Sequence, residues 1–340
     1  MVQPPRREGD AEAVAVRNPA VGLLPRRRET VAQPECRRRS IFRAVVHPLR
    51  HRRRCEGSYV DGSAGYGPQC HTLCFEFGKN KQKVVSVLQE SPLRETVTAR
   101  IAASTVGPHR RLTLPHLIRL FQEAAMQNTD RLGVSSSDLT AAHGLTWVMH
   151  RQVIEADRWP RLGEEVSVTT LPTHIDRRLI TYRDFYLLDG DGRPLIRSTS
   201  TWSVMHLETR RIRPIPDEVV HRLGTLPDPA THLPRPGGKL VPPATPTAER
   251  HCQVAFSHLD FNNHLTNPAF PELMLEPLGL DFLSSHLPRH ADISYHREAR
   301  YGDTLTARTA PDGQTTGFLH ALYRNDSELL ATMATHWTPL

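Results

Sequence analysis

A chain of 340 residues, 38% of them hydrophobic and 23% charged, is long enough for two ordinary domains, each with its own core, and has no apolar run approaching a membrane span. Its formal charge of +7 invites a nucleic-acid partner, but the excess is local: residues 1–88 carry 17 Lys and Arg against 8 Asp and Glu, and residues 89–340 carry 26 against 28. The globular part is close to neutral, so neither a nucleic acid nor a membrane is expected as its partner.

Residues 1–88 hold the Arg clusters Arg26–Arg28, Arg37–Arg39 and Arg52–Arg54 and no sustained apolar period, and are expected to be a disordered extension. Their Arg content is that of a transit peptide, but they are poor in Ser and lack the apolar core of a secretory signal. They also read as sequence upstream of a start near Val84–Val87. Cys36, Cys55, Cys70 and Cys74 fall here, with Cys252 alone in the rest. The spacing supports neither a zinc site nor a disulfide framework, so no metal and no cofactor are expected, and a reducing cytoplasm is the expected compartment.

The remainder is organised by an internal repeat. Leu112-Thr113-Leu114-Pro115 with Leu120 and Glu123 returns as Leu265-Thr266-Asn267-Pro268 with Leu273 and Glu276, each position displaced by 153 residues. Alternating runs precede the copies, Thr98–Ala102 and Cys252–Phe256, with the period of half-buried strands. In the first copy Leu114, Leu117, Ile118, Phe121, Ala124 and Ala125 share a helical face. Thr113 is the expected N-cap and Gly133 the stop. In the second copy Asn267 is the expected N-cap, Pro268 the first helical residue, and the helix ends near Glu276–Gly279.

Strands are predicted at Leu145–Glu155, Glu164–Leu171, Leu179–Leu188 and Ser198–Leu207, with a hairpin turn at Asp189–Gly192. In the second half they fall at Ala291–Glu298, Thr304–Thr309, Thr316–Tyr323 and Leu329–Trp337. Residues 221–250 contain seven prolines and read as an extended linker. The expected organisation is therefore 1–88 extension, 89–220 first domain, 221–250 linker and 251–340 second domain. A helix followed by an antiparallel meander, duplicated, makes each domain α+β, a sheet wrapped around a helix.

The copies differ just before their helices. Asp260, Asn262 and His264 correspond to Gly107, His109 and Arg111, so only the second copy has a carboxylate, an amide and an imidazole at alternate positions. In an extended loop such residues face one side and can share a cleft. Asp and Asn before a helix are also ordinary caps and turn formers, and a single His is commonly a surface group.

Ser257–Asn267 resembles the Asp-Leu-Asp-x-Asn-x-His-Val-Asn-Asn signature of plant and bacterial acyl-acyl-carrier-protein thioesterases. Gly144–Met149, Ile154–Pro160, Gly163–Val166, Arg183-Asp184-Phe185, Ser200-Thr201-Trp202 and Thr209-Arg210-Arg211 resemble the same family in the same order, so the similarity runs from about Arg94 to Trp337. The resemblance implies a tandem hotdog fold, which in one chain forms a monomeric pseudo-dimer or a unit of a homodimer. It implies that Asp260, Asn262, His264 and Glu298 are catalytic. The partner would be an acyl carrier protein bearing a phosphopantetheine-linked fatty acyl chain. Ala299 follows Glu298 where the plant enzymes usually have Cys, which disfavours a thiol nucleophile and leaves water-based hydrolysis with Glu298 or Asp260 as base. His258, Thr266, Phe270 and Leu273 also depart from the family's usual residues. Trp147, Met149, Leu117, Phe121 and Ala125 are candidates for the acyl wall, and Arg177, Arg178, Arg210, Arg211 and Arg213 for contacts with the carrier. The alternatives are an acyl-CoA thioesterase and a non-catalytic acyl-binding hotdog protein.

Overall fold

The computed structural model describes residues 91–340, so the Arg clusters and the four N-terminal cysteines lie outside the described residues. The first half contains β1 (Glu95–Arg100), α1 (Leu114–Arg131), α2 (Ser136–His143), β2 (Leu145–Ala156), β3 (Glu165–Asp176), β4 (Ile180–Leu188), β5 (Pro194–His206), the short β6 (Ile212–Arg213) and α3 (Asp217–Leu223). The second contains β7 (Ala248–Gln253), α4 (Ala269–Leu275), α5 (Leu280–Ser285), β8 (His286–Tyr295), β9 (Thr304–Pro311), β10 (Gly317–Arg324) and β11 (Glu328–Pro339).

Ten strands form one antiparallel path, β1-β3-β4-β5-β2-β8-β11-β10-β9-β7, with β6 added beside β5. The order reads the same from either end once each strand is replaced by its repeat counterpart. The halves join where β2 pairs β8 in the register Arg151↔Ser294 to Glu155↔His290. Each five-strand half curls around its own helix, α1 in the first and the shorter α4 in the second, which is the tandem hotdog arrangement, and a single apolar cluster runs through both halves from Ile101 and Phe121 to Met274 and Trp337.

The helices follow from their sequences. In α1 the predicted apolar face is buried, with Leu117, Ile118, Phe121 and Ala124 at most 2% exposed, and Phe121 stacks on Phe185 of β4 at 4.9 Å. Thr113 occupies the N-cap position without a side-chain cap bond, and the helix stops before Gly133, whose φ of +65° an L side chain rarely adopts. In the second copy the cap is Pro268, not Asn267, and α4 is seven residues long.

Three short helices were not foreseen. In α2 a Ser135/Asp138 capping box sets the start, but only Leu139 is buried, so there was no apolar period to read. α3 spans the expected boundary at residue 220, and β7 begins ahead of residue 251. Strands β1 and β7 start a few residues earlier than expected, and they end earlier because residues Ala103–Thr105 and Phe256–His258 turn into 3-10 helices in both copies.

The Pro-rich connection is strapped to the first half. The Leu233 N–H donates to Asp184 Oδ2 at 2.9 Å, and the Arg235 guanidinium lies 4.2 Å from the Tyr182 ring centre. Arg151 donates to the carbonyls of Gly237 and Gly238 and forms a two-point ion pair with Asp292 at 2.7 and 2.6 Å. One side chain thus ties β2, β8 and the strap together.

Candidate active site

The loop carrying Asp260, Asn262 and His264 is closed on itself. Leu259 and Leu265 form an isolated antiparallel bridge, the Asp260 N–H donates to the His264 carbonyl at 2.9 Å, and the Asn263 N–H donates to the Asp260 carbonyl at 3.1 Å. Asn263 makes the reversal in the left-handed region, φ +61°, which Asn tolerates better than most residues. The Asp260 carboxylate folds back over this turn: Oδ1 accepts from the Asn262 N–H at 2.8 Å and from the His264 N–H at 3.0 Å. Convergence of the three residues therefore comes from a tight turn braced by its own carboxylate, not from alternation along an extended strand.

Glu298 arrives from the segment after β8, beyond the strand rather than on it as predicted. It is fixed by the Leu265 N–H donating to the Ala299 carbonyl at 2.8 Å. His264 Nε2 then lies 3.4 Å from Glu298 Oε2, with the imidazole 19% and the carboxylate 37% exposed. The other carboxylate oxygen is ion-paired with Arg210 of the β5–β6 hairpin. His264 Nδ1 has no hydrogen-bond partner among the described residues. Asp260, Asn262, His264 and Glu298 all line one cleft of about 840 Å³, faced from the first half by Trp147, Met149 and Arg210.

The first half holds the same backbone without the chemistry. Gly107 N–H donates to Arg111 O, Arg110 N–H to Gly107 O, and Leu112 N–H to Pro160 O. These bonds repeat those of Asp260, Asn263 and Leu265. Trp159, one residue before Pro160, consequently stands where Glu298 stands, and it is 3% exposed, with its indole N–H donating to the Pro288 carbonyl at 2.7 Å. The first copy thus has a buried indole where the second has a carboxylate, and only the second places Asp, Asn, His and Glu together in a cleft.

Ala299 is fully buried, so the position after Glu298 faces the core rather than the cleft. Cys252 on β7 does not line the cleft. Burial, assisted by the nearby Glu276 carboxylate, pushes its thiol up, which lowers the thiolate fraction a nucleophile needs. The start of α4 offers less than a helix end usually would: Pro268 has no N–H and the Ala269 N–H is taken by the Thr266 carbonyl at 2.9 Å. The Asn262 side-chain amide is a donor in the cleft that remains open.

A second, smaller cavity of about 200 Å³ lies against α1, lined by Ala125, Met126, Val134, Leu223 and Phe261 and sharing Trp147 and Trp202 with the cleft. Of the expected acyl wall, Trp147, Met149 and Ala125 line these spaces. Leu117 and Phe121, at 0% and 1% exposure, are core residues behind them. Among the candidate carrier contacts, Arg178 pairs with Asp217, Arg177, Arg211 and Arg213 are exposed, and Arg210 turns into the cleft. The role of Arg210 at the site was not foreseen; the signal available was its place in Thr209-Arg210-Arg211 before a two-residue strand. Among the described residues no cluster of three or more His, Cys, Asp and Glu is arranged to hold a metal, and no helix is long and apolar enough to cross a membrane.

The profile of the acyl-ACP thioesterase N-terminal domain matches residues 96–223, and that of the C-terminal domain matches residues 243–339. The chain is 26% identical over 278 residues to the chloroplastic acyl-acyl-carrier-protein hydrolase FATB3 of Cuphea viscosissima, covering 76% of this chain and 67% of that protein. It is 27% identical over 260 residues to the chloroplastic palmitoyl-acyl carrier protein thioesterase of Gossypium hirsutum, covering 70% of this chain and 62% of the relative. The fold is shared with the 12:0-ACP thioesterase of Umbellularia californica, with a TM-score of 0.66 and 22% identity, covering 74% of this chain and 99% of that one. With both domain profiles matched in order, the chain belongs to the acyl-ACP thioesterase family.

Proposed function

We propose that the protein hydrolyses a fatty acyl thioester presented by acyl carrier protein, giving a free fatty acid and the carrier thiol, as a step in fatty acid biosynthesis. The observation that carries this reading is the His264–Glu298 contact at 3.4 Å beside Asp260 and Asn262, present in one copy of the repeat and absent from the other, where Arg111 and Trp159 stand at the His264 and Glu298 positions. Residues 91–223 supply the acyl-holding domain, 224–247 the connection, and 248–340 the catalytic domain.

Hydrolysis joins a water oxygen to the thioester carbonyl carbon, transfers a water proton to the His264–Glu298 pair, and breaks the C–S bond as the thiolate leaves and takes up that proton. The Asn262 amide is placed to hold the carbonyl oxygen as it gains charge. Asp260 keeps the loop in the shape that presents both. The acyl chain lodges beyond Trp147 and Trp202, in the smaller apolar cavity against α1, while the phosphopantetheine arm lies in the wider polar cleft. Cys252 is a free thiol, which fits a reducing compartment such as the cytoplasm; the two named plant relatives are chloroplastic.

Thiol release measured in parallel on acyl-carrier-protein and acyl-CoA thioesters of several chain lengths tests the donor and the reaction. Higher kcat/KM on the carrier thioester is the expected result. Preference for the CoA thioester would overturn the assignment of the partner, and absence of turnover with retained acyl binding would leave a binding protein.

A further inference from the structure

We propose that Arg210 is a positioning residue that fixes Glu298 as the orienter of His264, so that the imidazole rather than either carboxylate takes the proton from water. The inference rests on the hydrolase reading above and assigns the proton route within that site.

Arg210 reaches Glu298 from the other half of the molecule. It sits on the tight connection between β5 and β6, in the left-handed region at φ +55°, a conformation an Arg adopts only where the surrounding structure holds it. The hold is visible. The Arg210 N–H donates to the His206 carbonyl at 2.9 Å, the His206 N–H donates to the Arg211 carbonyl at 3.0 Å, and the Leu207 N–H ties the hairpin to the Gly144 carbonyl at 3.0 Å. The Thr209 N–H meets His206 Nδ1 at 3.4 Å. The backbone therefore aims the guanidinium at Glu298 instead of leaving it as a free surface cation.

Glu298 is shared between two groups: Oε1 is engaged by the Arg210 Nη2 and Oε2 faces His264 Nε2 at 3.4 Å. The guanidinium on Oε1 restricts rotation of the carboxylate and keeps Oε2 turned toward the imidazole. The carboxylate is well placed to accept the Nε2–H of a neutral imidazole, which fixes the tautomer and leaves Nδ1 as the acceptor. His264 Nδ1 has no partner among the described residues. Asp260 is oriented by the two loop amides that its Oδ1 accepts from, which gives it the task of bracing the loop. Water thus gives its proton to His264 Nδ1 as its oxygen bonds to the carbonyl carbon, and Nδ1 returns that proton to the departing sulfur as the C–S bond breaks. The triad has the logic of an imidazole base oriented by a carboxylate, with a cation from the opposite half holding the carboxylate.

The test compares wild type, Arg210→Ala, Arg210→Lys, Glu298→Gln and the Arg210→Ala/Glu298→Gln double variant on two substrates of equal acyl length. One is the acyl-carrier-protein thioester, and the other is an acyl-pantetheine thioester that lacks both carrier and phosphate. Melting temperatures establish that each variant is folded. The expected result is a kcat about 10- to 100-fold lower for Arg210→Ala on both substrates with KM little changed. Partial recovery in Arg210→Lys and a double variant no slower than Glu298→Gln alone complete the expectation. Three results would overturn the proposal: a rise in KM confined to the carrier substrate, which would make Arg210 a docking residue; unchanged kcat; or multiplicative losses in the double variant. A wild type inactive on both substrates would instead remove the hydrolase reading itself.

Discussion

Arg119 Nη2 and Glu272 Oε2 meet at 3.1 Å between α1 and α4, and the two residues are 153 positions apart, the spacing of the sequence repeat. Equivalent positions on equivalent helices face each other, as they do across the two-fold axis of an isologous dimer. Here the axis is approximate, so one position carries the cation and the other the carboxylate. Both side chains are 41% exposed, and an exposed pair of this kind contributes about 0–1 kcal/mol. Arg119→Ala is expected to shift the urea midpoint only slightly. A loss well above about 1 kcal/mol would show that this contact matters to the joining of the halves.

The opposite is expected of Arg151. Its guanidinium and the Asp292 carboxylate are 14% and 12% exposed and bonded at two points, and the same side chain holds the carbonyls of Gly237 and Gly238. Asp292 places the Arg151 guanidinium above its ordinary range. Removing one member of a largely buried pair strands the other charge, which costs about 3–5 kcal/mol. Arg151→Ala should destabilise by roughly the lower part of that range in equilibrium urea unfolding. The double variant with Asp292→Ala should recover part of the loss; no recovery would contradict the stranded-charge explanation.

Asp260 separates a loop-bracing role from a proton-transfer role. Asn at this position keeps a carbonyl oxygen to accept from the Asn262 and His264 amides, whereas Ala removes it and leaves both donors without that partner. Asp260→Asn is expected to stay within about ten-fold of wild-type kcat, and Asp260→Ala to fall further, since the loop then loses the acceptor that braces it. Equal, near-complete inactivation by both substitutions would make Asp260 the base.

His320 gives the fold an acid sensitivity independent of the site. Its side chain is fully buried between Thr309 Oγ1 and Thr335 Oγ1, both at 2.8 Å, and burial pushes it down to about 3. The unfolded chain, with an ordinary value near ~6.5, takes up a proton that the folded chain refuses. This contribution to stability is therefore complete above about pH 6.5 and is lost as pH falls toward 3, at about 1.4 kcal/mol per pH unit. Asp184, pushed up to about 6 by its burial, acts in the opposite sense, losing stability as pH rises through that value. Urea unfolding at pH 7 and pH 5 should show wild type losing about 2 kcal/mol more than His320→Gln. Identical pH dependence in the two proteins would contradict the assignment.

Much of the fold was readable because it follows from periodic burial. The apolar face of α1, the strands from Leu145 onward and the turns at Gly192, Gly313 and Asn325-Asp326, all in the left-handed region, carry local signals. The repeat placed the polar loop beside the shorter helix. What was not readable depends on partners distant in sequence. The strand expected to reach Glu298 ends at Tyr295, because residues 296 and 297 turn away to donate to the Leu330 carbonyl. Arg210 looked like a surface cation because the carboxylate it holds is 88 residues away. Helices α2 and α3 bury one and two residues respectively, too few to leave a periodic trace.

The central claim is that the second-half loop and Glu298 form a hydrolytic site while the first-half counterpart does not. Thiol release from an acyl-carrier-protein thioester, compared among wild type, His264→Ala, Glu298→Ala and the first-half substitution His109→Ala, tests it most directly. Loss of at least about 100-fold in kcat for the two second-half variants, with His109→Ala close to wild type, is the predicted result. Undiminished turnover in His264→Ala or Glu298→Ala, with the wild type active, would contradict it.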